Sequence, residues 1–215
     1  MMEAISEAIG ILKKRKKLPY IIIAIIFLVL YIISFSYGYN LYFNNKPQAL
    51  VIIKAVSDNQ FIQITLEAFR QHNYITGFLL ILGNNIKSIA ILLFSGIIFI
   101  LPGFFSVTQA TSLGIIMGIS EAIRHVSFFH WIFVIVVGLL EFSTIFLACY
   151  EGTRLGLTLI KIKKKGKKKN KKLLTFNNTF IEALKIFVLI IAILTIAAAI
   201  ETVGIALFGS KGSAI

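Results

Sequence analysis

Two glutamates stand where a charge is costly. Glu141 lies within the apolar run 126–160 and Glu201 within the run 173–208. Ionisable groups at bilayer depth are expensive and mark ion paths, proton relays or bound partners. A carboxyl there can exchange a proton, hold a cation, or bond a neighbouring helix in its neutral form. The residue types alone leave these uses open. Other polar candidates sit nearer the ends of apolar runs. Asn84, Asn85 and Lys87 are placed at an interface, where Lys87 can snorkel to water. Glu121, Arg124, His125 and His130 gather at the same end of the next two segments, with Glu121 and Arg124 spaced to pair at i, i+3. The remaining histidine, His72, is distant, and Cys149 is the sole cysteine, so neither a metal site nor a disulfide is expected. HExxH, GxSxG and phosphate-loop patterns are all absent. The expectation is a non-enzyme with no catalytic residue, metal or cofactor.

Composition says what must position these groups. The chain has 215 residues, 58% of them hydrophobic, above the usual range for soluble domains. Net charge is +13, concentrated in two basic runs, 13–17 and 161–172. The second supplies Lys161, Lys163, Lys164, Lys165, Lys167, Lys168, Lys169, Lys171 and Lys172. With no aromatic stacking platform or recognition motif beside them, these lysines suit anionic lipid headgroups and not nucleic acid.

About 20 apolar residues span a bilayer as a helix. The pattern predicts an all-α polytopic bundle, a single membrane domain with five crossings at 19–42, 79–101, 104–123, 127–158 and 174–208. A short amphipathic, basic stretch precedes them (residues 1–18), with Ile5, Ala8, Ile11 and Leu12 on one face. Residues 43–74 form the sizeable polar segment, where Phe61, Ile62, Thr65, Leu66 and Phe69 recur at helical spacing. Gly83–Lys87 and Pro102-Gly103 read as interruptions. The positive-inside rule puts both basic runs in the cytoplasm, which needs an even number of crossings between them. Four satisfy it and leave the C-terminus extracytoplasmic, in a multi-pass cell-membrane protein.

Two seams of small residues recur every four positions: Ala110, Gly114 and Gly118, then Ala148, Gly152 and Gly156. Such seams let helix backbones approach closely. Each also presents a carboxylate on its face, Glu121 and Glu141, so the third and fourth helices are expected to pack seam to seam.

These features, taken in order, resemble the stage II sporulation protein M family of multi-helix membrane proteins. The basic N-terminus precedes an apolar helix; Asn84-Asn85 and Gly96 follow. Then come Leu113-Gly114 with Gly118, Gly138-Leu139-Leu140-Glu141, Ala148 with Gly152 and Gly156, and Ala197-Ala198-Ala199-Ile200-Glu201. Family members often carry Pro-His-Gly-Ile-Glu before the acid of the fourth helix. Here Val136-Val137 precede Gly138, so no role of that histidine carries over. The resemblance implies a membrane scaffold within a peptidoglycan-remodelling complex. Two functions follow as expectations. One is a scaffold or complex subunit, assembling with copies of itself or with other membrane and envelope proteins through the small-residue seams. The other is a small transporter or channel using Glu141 and Glu201 as proton or cation sites.

Overall fold

Long apolar runs in lipid satisfy their backbone only as helices, and the computed structural model is helical throughout the residues it describes, 2–98, 101–124, 128–163 and 169–208. In order these are α1 (Met2–Lys13), α2 (Lys17–Asn44), α3 (Lys46–Ser57), α4 (Gln60–Arg70), α5 (Tyr74–Phe94), a 3-10 turn (Ser95–Ile97), α6 (Leu101–Arg124), α7 (Phe128–Lys163) and α8 (Lys169–Phe208). Five of them, α2 and α5 to α8, are long and apolar enough to cross a membrane. The chain is a multi-pass membrane protein. Its surface is apolar in the manner of a lipid-facing bundle: Ile21, Ile25, Leu28 and Ile32 form an exposed stripe on α2, while Phe27, Ser34, Gly38 and Leu41 face inward.

Several boundaries differ from the sequence pattern. Residues 83–87 do not break a helix; α5 runs through them without interruption from Tyr74 and ends at Phe94. A single glycine and two asparagines lower helix propensity but do not overcome the packing of a membrane helix. Pro102-Gly103 lies inside the first turn of α6 and not between helices. Proline is tolerated there because its missing N–H would have no intrahelical acceptor. The polar segment holds two helices, α3 and α4. Asn45 opens α3 by accepting from the Gln48 N–H at 3.3 Å, and Asn59 opens α4 by accepting from the Phe61 N–H at 2.9 Å. At the α4–α5 corner His72 takes a left-handed conformation (φ 56°), and Asn73 accepts from the Thr76 N–H at 3.2 Å to start α5.

The helices sort into two groups. The first is the pair α2 and α6, which lie against each other along their length and run parallel. Glycines make this possible: a Cβ at Gly114 would come within 2.6 Å of the Tyr31 carbonyl, and one at Gly118 or Gly38 would strike the Phe35 or Ile115 carbonyl. The second group comprises α5, α7 and α8, with α1 folded onto α8. Asn85 with Glu141 and Gly96 with Gly152 share one offset of 56 residues, so α5 and α7 are parallel. Phe27, Tyr31 and Phe35 of α2 meet Phe142, Phe146 and Trp131 of α7 and tie the groups together. α6 meets α5 and α7 only sparsely, which leaves a cleft between the groups.

The small-residue seams therefore do not face each other. The seam of α6 packs on α2, and the seam of α7 packs on the end of α5, where Gly152 abuts the Leu92 and Leu93 carbonyls and Gly96. Ala110, Ala148 and Gly156 are likewise buried. The reason is chain topology. A backbone-close contact on α7 was taken by the parallel α5, leaving α6 to close on the parallel α2.

Candidate functional site

The cleft between the groups contains a polar cavity of about 360 Å³. Its walls come from four helices: Asn84, Asn85, Ser88 and Ile89 of α5, Thr108, Gln109, Ser112 and Leu113 of α6, Glu141, Thr144 and Ile145 of α7, and Leu194 of α8. Most of these are polar, on helices whose other faces are apolar. At its centre Asn85 Nδ2 donates to Glu141 Oε1 at 2.6 Å. That short bond joins α5 to α7 at bilayer depth, ten residues in from Trp131 where the α7 span begins.

The hydroxyls are oriented by their own helices. Thr108 Oγ1 donates to the Phe105 carbonyl at 2.9 Å and Thr144 Oγ1 to the Glu141 carbonyl at 2.7 Å. Their protons are thus committed to the backbone; Thr144 is fully buried, so of the two only the part-buried Thr108 oxygen has lone pairs free toward the cavity. Gln109 Oε1 is buried and has no hydrogen-bond partner among the described residues. Buried polar atoms without partners cost about 1–3 kcal/mol, so this one is a feature to be accounted for. Glu201 on α8 lies within electrostatic reach of Glu141, and the neighbouring Thr202 Oγ1 is also buried without a hydrogen-bond partner among the described residues.

A second polar cluster lies toward the other end of α7, ten residues or about 15 Å along the helix from Glu141. Glu151 is completely buried. It accepts from Arg154 Nη1 at 2.7 Å, from Arg15 Nε at 3.3 Å and from Tyr20 Oη at 3.2 Å. Glu182 of α8 accepts from Arg15 Nη2 at 2.8 Å and also pairs with Arg154 Nη2. Two guanidinium groups and two carboxylates thus close a network with no net charge. Arg15 sits in the short link between α1 and α2, and α1 is held beside it: Ala8 is fully buried, and Glu7 pairs with Lys185 at 2.7 Å. The rings of Tyr20 and Tyr150 lie beside the cluster with centroids 4.1 Å apart and planes tilted by 35°.

Sequence reasoning placed Asn84 and Asn85 at an interface, apart from Glu141. The structure brings Asn85 onto Glu141 within the bundle because α5 continues through both asparagines. Glu121 is on α6 outside the cavity lining, half-buried. The proposed pairing of Glu121 with Arg124, the His125 and His130 side chains and the lysine side chains of 161–172 lie outside the described residues. Gln109, Thr108, Ser88 and Thr144 were not singled out, although hydroxyl and amide groups on otherwise apolar helices are a readable signal. Glu151, Arg154, Glu182 and Arg15 were also missed. Glu151 and Arg154 stand at i, i+3, and Arg15 is the lone arginine in a lysine run, where only a planar fork can bridge two carboxylates.

Residues 20–204 fit the family model for stage II sporulation protein M, from within α2 to within α8, and include the cavity residues with Glu151, Arg154 and Glu182 but not Arg15. No curated protein and no solved structure matches the chain.

Proposed function

This chain belongs to the stage II sporulation protein M family, and from that premise we propose that it is a small, non-enzymatic transporter or channel whose working group is Glu141. The observation that carries the reading is the Asn85–Glu141 hydrogen bond inside a polar cavity walled by several membrane helices. Intramembrane carboxylates facing a cavity are the usual means of passing protons or cations. The cleft between two helix groups gives such a site a path to open, by a shift of α2 and α6 against the rest. Glu201, nearer the α3–α4 end of the bundle, would be the next station for the same ion. The basic runs put the α1 end in the cytoplasm and the C-terminus outside, with the lysines held to anionic lipid.

In proteoliposomes, the parent chain is expected to carry a proton or monovalent-cation flux that Glu141→Gln abolishes while melting near the parent temperature. An equal flux in both proteins, at equal incorporation, sinks the reading.

A second reading is a scaffold or complex subunit. It is favoured by α3 and α4, which leave Leu50, Val51 and Ile64 exposed by 45–66% on the polar side of the bundle. The small-residue seams are used within the chain, so docking would fall to these two helices, against a second copy or another membrane or envelope protein. Mild-detergent extraction from native membranes separates the two readings. A stoichiometric partner protein supports the scaffold, and the chain recovered by itself in a transport-competent state supports the transporter.

A further inference from the structure

The cavity around Glu141 has a chemical preference that its lining makes explicit. Its lining offers acceptors in the Glu141 carboxyl and in the hydroxyl oxygens of Ser88, Ser112 and Thr108, the last with its proton already bonded to backbone. None of its lining residues is Lys, Arg or His, so nothing there competes as a cation. None is aromatic either, and recognition of a quaternary ammonium depends on aromatic faces. A bare metal ion needs several oxygens converging at about 2–2.6 Å. Among the described residues no group of three His, Cys, Asp or Glu side chains could hold one. A cavity of 360 Å³ also exceeds what a dehydrated ion fills.

We propose that the cavity binds a primary ammonium group, either ammonium itself or a small alkylammonium. Such a group offers three N–H donors. Glu141 takes one and neutralises the charge, and the Thr108 oxygen and a serine hydroxyl, Ser88 or Ser112, take the others. The short alkyl tail rests on Ile89, Ile145 and Leu194, which line the same cavity. Asn85 holds the carboxylate in place from its far side. This assignment rests on the reading of Glu141 as the working group and narrows its substrate.

The test is a thermal-unfolding titration of the full chain in nanodiscs of neutral lipid. The chloride salts of methylammonium, tetramethylammonium, sodium and potassium are compared at constant ionic strength. A ligand that binds only the folded state raises its stability with concentration. Methylammonium is expected to give a saturable rise that the other three cations do not. Glu141→Gln is expected to abolish that rise, and Thr108→Val to weaken the apparent affinity about tenfold, as for one lost charge-assisted hydrogen bond of about 1.4 kcal/mol. An equal response to tetramethylammonium, sodium or potassium overturns the ammonium assignment but leaves the transport reading standing. No saturable response to any cation overturns the assignment as well. If Glu141→Gln also leaves proteoliposome flux unchanged, the transport reading falls separately. The salt series on the parent chain decides the question even if a variant fails to fold.

Discussion

Glu141 and Glu151 lie on one helix, ten residues apart, and their surroundings could hardly differ more. Glu151 is sealed from solvent and holds three donors, two of them cationic, inside a network that balances its own charge. Glu141 has one neutral amide partner, Asn85, and looks onto an open polar cavity. A buried carboxylate with every valence answered is locked in place. One with capacity left over, facing space, can change partners. The difference teaches that depth in the bundle does not by itself identify a working acid. Glu151 is the more buried of the two and is the structural one, pinning α1 and the α1–α2 link to α7 and α8.

Substitutions can break this contrast or sharpen it. The largest effect on stability is expected from Glu151→Leu, which leaves Arg15 and Arg154 with only the half-exposed Glu182 between them. Removing one side of a buried ion pair costs about 3–5 kcal/mol, visible as a large fall in unfolding temperature and as proteolysis within α1. Gly118→Leu comes next. Its side chain would meet the Phe35 carbonyl and push α6 off α2, an overpacking cost of about 1–3 kcal/mol. It acts on the cavity as well, because α6 supplies the Gln109 wall. Tyr20→Phe removes one hydrogen bond to Glu151 and keeps the ring contact with Tyr150, for about 1 kcal/mol, measured by denaturant titration in detergent. The smallest effect belongs to Glu141→Gln, expected within about 0.5 kcal/mol of the parent, since the Asn85 amide still finds a carbonyl acceptor at that position. A large loss there would make Glu141 a second structural anchor and erase the contrast.

The membrane class and the five long apolar helices were legible because runs of that length and apolarity have few explanations, and Glu141 stands out in the sequence as a lone acid within one of them. The partner of Glu141 was not. Gly83-Asn84-Asn85 reads as a break by local propensity, and only the packing of α5 against α7 shows that the helix continues. The pairing of the seams was misread for a related reason. Spacing reveals that a helix has a small-residue face but not which neighbour closes on it, and both contacts went to parallel helices distant in sequence. The inner network escaped notice because Arg15 is surrounded by lysines and Glu151 by residues near a basic run, where charges are ordinarily solvated. What distinguishes them is three-dimensional: the fold of α1 back onto α8 carries Arg15 to both acids.

Thiol accessibility separates an open cavity at Glu141 from a sealed network at Glu151, because the chain carries its own internal control. Cys149, two residues from Glu151, is 4% exposed in the dry core, while Ser88 lines the cavity. A chain bearing Ser88→Cys would be treated in native vesicles with a small cationic thiosulfonate and the labelled residue identified by mass. Modification is expected at position 88, slowed by methylammonium, with Cys149 untouched. Labelling of Cys149 with position 88 protected would contradict it, showing that water and cations reach the inner network and not the cavity.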